Sequence, residues 1–155
     1  MTFTFSDVVD AYNSSLVRST PTALSKARSK LAATSVGDYA LFGGGYGSNY
    51  SAVVDAYNSS LVISTPTALS VARRYLSATS VGDYALFGGG SGSFSSGAFD
   101  VVDAYNSSLV RSTPTALSNV RHELAATSVG DYALFGGGGG VTFTFSDVVD
   151  AYNSS

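Results

Sequence analysis

Apolar and polar positions come in short bursts along this chain, and the same burst keeps returning. Ala-Thr-Ser-Val-Gly-Asp-Tyr-Ala-Leu-Phe-Gly-Gly-Gly is written in full at 33–45, 78–90 and 126–138. An apolar run, a turn at Gly-Asp, a second apolar run and a closing glycine triplet predict a β-hairpin. Val-Val-Asp-Ala-Tyr-Asn-Ser-Ser occurs four times, ending at Ser15, Ser60, Ser108 and Ser155, and its tyrosines (Tyr12, Tyr57, Tyr105, Tyr152) lie 45, 48 and 47 residues apart. A period of that length accommodates four short strands, which is one blade of a propeller.

In the first full unit the pattern predicts strand A at 31–36, a turn at Gly37-Asp38, strand B at 39–42 and a loop over 43–51. Strand C follows at 52–58 and strand D at 61–65; Pro66 closes D, and 67–73 crosses to the next A strand. Val53, Val54, Ala56 and Tyr57 put apolar groups on both faces of C, as a sheet packed between two neighbours requires. A rival pattern is a helix over 21–31, with Pro21 in its first turn and Leu24, Ala27 and Leu31 on one face, which would give a ββα repeat. The period and the glycine placement favour the blade.

The residues also resemble a known family. Leu41-Phe42-Gly43-Gly44, then Val54 and Tyr57 on the next strand, then Pro66, Arg73 and Leu76 look like kelch repeats, and the likeness recurs in every unit. The resemblance implies an all-β, kelch-like β-propeller. Kelch repeats usually carry a Trp shortly after the Tyr, whereas this chain has none; Leu16, Leu61 and Leu109 are the expected substitutes in the C–D hairpin.

The repeats divide a single repeat domain, 1–155, into strands C and D that close a blade (1–20), two blades (31–65 and 76–113) and strands A to C of the last blade (124–155). That makes about three four-stranded blades, and propellers close with roughly 4–8. The expectation is therefore a homodimer, two chains forming one six-bladed ring about a two-fold axis; open oligomers are the alternative. Segments 2–15 and 142–155 are identical, so two C strands compete for one place at each seam, and the N-terminal copy is expected to be the loose one. An engineered or excised origin would fit such duplicated ends, as would a repeat-rich gene.

Composition narrows the partners. Charged residues make up 12% of the chain and the formal net charge is −3, so no basic face for nucleic acid is expected. With no Cys there is no disulfide framework, thiolate metal site or cysteine nucleophile. No apolar run approaches the roughly 18 residues that span a bilayer, and the N-terminus lacks the basic and apolar regions of a signal peptide. The expectation is a cytoplasmic protein that does not engage a membrane.

The units differ mainly at two places. Before strand A stand Lys26, Ser29 and Lys30, then Val71, Arg74 and Tyr75, then Asn119, His122 and Glu123. The B–C loop carries Tyr46, Asn49 and Tyr50 in one unit and insertions within 91–99 in the next. In an up-and-down blade both connections fall on one side of the disc, so these twelve residues form a candidate binding face for a protein or glycan. Unrestrained loop drift explains the variation equally well.

No catalytic pattern emerges. His122 is the only histidine, and its counterparts are Ser29 and Arg74, so a Ser/His/Asp triad would exist once per chain. Asp10, Asp55, Asp103 and Asp150, like Asp38, Asp83 and Asp131, recur in register, which predicts turn and strand-edge roles. The glycine runs lack the Gly-Lys-Ser/Thr ending of a P-loop, and Asn-Ser-Ser reads as a turn. Arg28, Arg73 and Arg121 hold equivalent places and are expected to bridge neighbouring blades. Galactose-oxidase-type propellers share the kelch repeat, but their chemistry needs Cys, His and Tyr around copper. The reading is a non-enzymatic, self-assembling scaffold without metal or cofactor, the alternative being a binding module that uses the variable face.

Overall fold

A computed structural model of the chain describes residues 4–93, 97–140 and 144–154. The described residues contain thirteen strands in four antiparallel sheets and no helix. A two-stranded hairpin, β1 (Ala11–Tyr12) and β2 (Arg18–Ser19), comes first. Two four-stranded sheets follow in simple up-and-down order: β3 (Ala32–Val36), β4 (Tyr39–Gly43), β5 (Val54–Tyr57) and β6 (Ile63–Ser64), then β7 (Ser77–Val81), β8 (Tyr84–Gly88), β9 (Val102–Asn106) and β10 (Arg111–Ser112). A three-stranded sheet, β11 (Ala125–Val129), β12 (Tyr132–Gly136) and β13 (Val149–Asn153), ends the series. The segment 21–31 is not helical; it is an irregular crossover into β3 with bends and one isolated bridge at Ser29.

Successive sheets stack face to face, with β3 against β7 and β7 against β11. The central strands are therefore buried on both sides, and all four residues of β5 are buried. Phe87 stacks edge-on against Tyr105 with centroids 6.0 Å apart, and on its other side it lies against Gly43. A Cβ at Gly43 would come within 2.7 Å of the Phe87 ring, and one at Gly88 within 2.8 Å of Phe135. Glycine ends strand B because the next sheet's phenyl ring occupies the space of a side chain.

Leu16, Leu61 and Leu109 do not replace the absent Trp in a common way. Each takes the left-handed position of the C–D turn, with φ of 58°, 58° and 60°. Leu16 is 80% exposed and Leu61 40%, and only Leu109 packs partly against a core cluster. The turn is held by its asparagine: Asn58 Oδ1 accepts from the Ser60 and Val62 amides, both at 3.0 Å, and the Leu61 amide donates to the Asn58 carbonyl at 2.8 Å. These bonds offset the strain of a branched residue at positive φ.

Candidate functional site

Two networks meet at each crossover. The first is buried. Arg73 is fully buried and its guanidinium bonds Asp103 at 2.8 Å, the Gly89 carbonyl at 2.8 Å and the Phe87 carbonyl at 3.0 Å. Its backbone faces the other way, donating to the Ser51 carbonyl and accepting from the Gly45 amide of the preceding sheet. Arg73 thus bridges two sheets. Arg28 and Arg121 repeat the side-chain arrangement with Asp55 and Asp150, each also donating to the strand B carbonyl of Phe42 or Phe135.

Asp55 and Asp103 are consequently not strand-edge groups, whereas Asp10 directly precedes β1 and Asp150 lies on β13, each an outer strand of its sheet. Asp55 and Asp103 have no exposure at all, on strands in the middle of their sheets. Each organises the crossover, accepting from the amide of Ser25 or Ser70, while the neighbouring tyrosine hydroxyls donate to Thr22 and Thr67 carbonyls at 2.7 Å. Recurrence in register could not separate a turn aspartate from a buried one. The signal that does is the arginine recurring 30 residues before Asp103. Asp38, Asp83 and Asp131, by contrast, do sit in the A–B turns. Burial pushes the hydroxyls of Tyr57 and Tyr105 upward, with the adjacent Asp55 or Asp103 charge acting in the same direction. Tyr152 is pushed up to about 12, first by burial and then by Asp150.

The second network lies where the sequence places the variable face. Crossover and B–C loop are joined by isolated antiparallel bridges, Ser29 to Tyr46, Arg74 to Ser91 and His122 to Gly139. Lys30, Tyr75 and Glu123, the residues before each A strand, all have left-handed backbones with φ of 59°, 56° and 55°. They are linked in series: the Tyr75 amide donates to the Lys30 carbonyl at 3.0 Å, and the Glu123 amide to the Tyr75 carbonyl at 2.9 Å. Three unlike side chains share one strained conformation, so the fold imposes the backbone and leaves the side chain open to change.

Around this series the side chains cluster. The Arg74 guanidinium carbon lies 5.2 Å from the Tyr46 ring, 5.3 Å from Tyr50 and 5.1 Å from Tyr75, while the Lys30 ammonium lies 4.7 Å from Tyr75. Tyr46 and Tyr50 meet edge to face at 5.2 Å, and Phe5, which sequence reasoning missed, joins at 5.9 Å. Tyr75 reaches toward His122 at 6.3 Å, and His122 Nδ1 lies 3.9 Å from the Glu123 carboxylate. A guanidinium stacked in this way retains in-plane N–H donors for an acidic or hydroxyl-bearing ligand.

Lys26, Asn49 and Tyr50 line a groove of about 370 Å³ beside Arg28. Asn119 lines one of about 410 Å³ in the equivalent place beside Arg121. Val71 stands apart from the aromatic cluster, its carbonyl accepting from Arg73. The insertion residues 94–96 lie outside the described residues, as do 1–3, 141–143 and 155, which include residues 2, 3, 142, 143 and 155 of the duplicated ends. Among the described residues no group of three or more His, Cys, Asp or Glu could hold a metal ion, and no helix is long and apolar enough to cross a membrane.

No family model and no curated protein matches the chain. Solved structures do. The structure of YjhT aligns with a TM-score of 0.77 at 13% identity, over 95% of this chain and 52% of its own. YjhT is a kelch-like β-propeller, so the likeness gives the fold, an all-β propeller-like stack of sheets. The chain spans about half the length of that structure.

Proposed function

We propose that this chain is a non-catalytic, self-assembling propeller scaffold, and that two copies form one six-bladed ring. One observation carries the reading: the two outer faces of the stack are complementary. Gly43 and Gly88 are covered by Phe87 and Phe135, but a Cβ at Gly136 would meet nothing nearer than Val149 at 3.4 Å. At the other end Phe42 is only half-buried, whereas Phe87 and Phe135 are fully buried. Likewise Gly37 lies against Ser107 and Gly82 against Ser154, while a Cβ at Gly130 would meet nothing within 4 Å among the described residues. Val36 and Val81 are buried, whereas their equivalent Val129 is 62% exposed. Phe42 and Ser59 of a second copy have the shape that Gly136 and Gly130 leave open, in the same contacts that already join the sheets within one chain.

Light scattering on a size-exclusion column tests this against the 15.8 kDa chain mass. The expected mass is twice that of the chain. Gly136→Ala should not lower the thermal melt of the isolated chain yet should shift the mass toward the monomer, because within the chain its added methyl only touches Val149 at 3.4 Å, an ordinary contact distance. A wild-type monomer at all concentrations would refute the reading.

The aromatic cluster favours a second reading, in which the variable face binds a protein or glycan. Arg74→Ala should then lower retention at least tenfold on whichever arrayed glycan or captured protein the wild type binds, as expected for an open-edged cation worth about 1.4 kcal/mol or more. Equal retention would remove Arg74 from any such site.

A further inference from the structure

Resting on the ring reading, we propose that the seam is completed by strand addition: β2 of a second copy pairs with the free edge of β13, and its Arg18 joins Arg121 on Asp150. Asp103 in the complete sheet is the template. It takes Arg73 from the crossover on one carboxylate oxygen at 2.8 Å and Arg111 from strand β10 on the other at 2.9 Å. The two ends of the chain hold the two halves of that arrangement. Asp150 is paired with Arg121 from the crossover and has no strand D arginine among the described residues. Arg18 occupies the place of Arg111 on its strand, yet among the described residues its ion pair is with Asp10, at 3.6 Å, the side chains being 62% and 44% exposed.

The same carboxylate-bearing segment is present twice, and the structure treats the two copies differently. β13 forms five register pairs with β12, and its Asp150 and Tyr152 are tied to Ser118 and Thr115. β1 forms two pairs with β2, and its Tyr12 is 64% exposed. Beyond its pairing with β2, the Arg18–Asp10 contact and the Phe5–Tyr46 ring contact, two backbone bonds hold the N-terminal copy in place, from the Leu24 amide to Asp7 and from the Arg28 amide to Ser6. Asp147 and Ser146 carry the identical carbonyls on the C-terminal copy. When β2 pairs with β13 of another copy, every bond that β1 made has an equivalent acceptor, and β1 is released. The duplication makes the exchange close to neutral in bonding, and the gain is a carboxylate held by two arginines in place of two carboxylates held by one each.

Register fixes the test. Ala104 faces Ser112 and Ala56 faces Ser64 across the C–D pair, so strand addition places Ala151 opposite Ser19 of the partner subunit. The chain has no cysteine, so a single engineered pair reports cleanly. Facing Cα atoms in an antiparallel pair lie about 4.5–5.5 Å apart, within disulfide reach. Ala151→Cys/Ser19→Cys should give a covalent dimer on mild oxidation, and Ala11→Cys/Ser19→Cys should not close its own hairpin at dimer-forming concentration. Arg18→Ile should raise the dimer Kd roughly tenfold without lowering the monomer melt, since Ile63 occupies that place in the first full sheet. A dimer that fails to link 19 to 151 while 11 links to 19 would overturn strand addition and leave the ring reading standing. A monomer by light scattering would overturn both.

Discussion

Asp103→Ala should be among the most destabilising single changes in this chain, lowering unfolding free energy by about 3–5 kcal/mol. Its carboxylate is fully buried and is bonded by Arg73, Arg111 and Ser70. Removing it leaves the equally buried Arg73 guanidinium without its counter-charge, and desolvation of that cation then opposes folding uncompensated. Burial already works against the charged form of Arg73, and Asp103 is what supports it. Total stabilities of small domains are about 5–15 kcal/mol, so a loss of this size should appear as a large drop in the urea midpoint followed by circular dichroism. Arg111→Ile should cost much less, because Arg111 is 26% exposed and sheet one folds with Ile63 there. A urea midpoint for Asp103→Ala equal to wild type would mean that the ion pair does not organise the crossover.

Phe87→Ala should cost about 3–5 kcal/mol. The ring is fully buried between Tyr105 and Gly43, so its loss leaves a cavity that a strand-ending glycine cannot fill. Phe42→Ala removes the same atoms from a half-buried place and should cost less in dilute solution. The two penalties should converge as protein concentration rises and a second copy covers Phe42. Thermal melts at two concentrations separate the cases; a gap that is independent of concentration would argue against the ring.

The repeats made most of the architecture legible. The Gly-Asp turns, the strand C burial and the bridging arginines each follow from residues that recur at fixed spacing, and the structure places β3 to β5 within a residue or two of the expected strands A to C. Strand D is shorter than expected, two residues in β6, because Leu61 and Val62 are taken up by the C–D turn and Pro66 stops the strand at its other end. What was not legible depended on three dimensions. Asp55 and Asp103 read as polar edge groups because an ion pair about 30 residues apart has no local signature. The left-handed backbones of Leu61 and Tyr75 fall on residue types that ordinarily avoid them. The variable face was legible as a set of differences, but Arg74 stood out from its neighbours only once three tyrosine rings were seen around it.

The phenyl-on-glycine contact between sheets also acts as a counting device. Phe87 and Phe135 each seat against a bare Cα, so the missing side chain lets one sheet approach the next more closely there. For the proposed six-sheet ring to close with two copies, the angle between one sheet and the next has to be roughly 60°, and a head-to-tail contact whose rotation does not close gives an open filament. In the proposed ring, a methyl group added at Gly43, Gly88 or Gly136 would push the facing phenyl outward and work against closure.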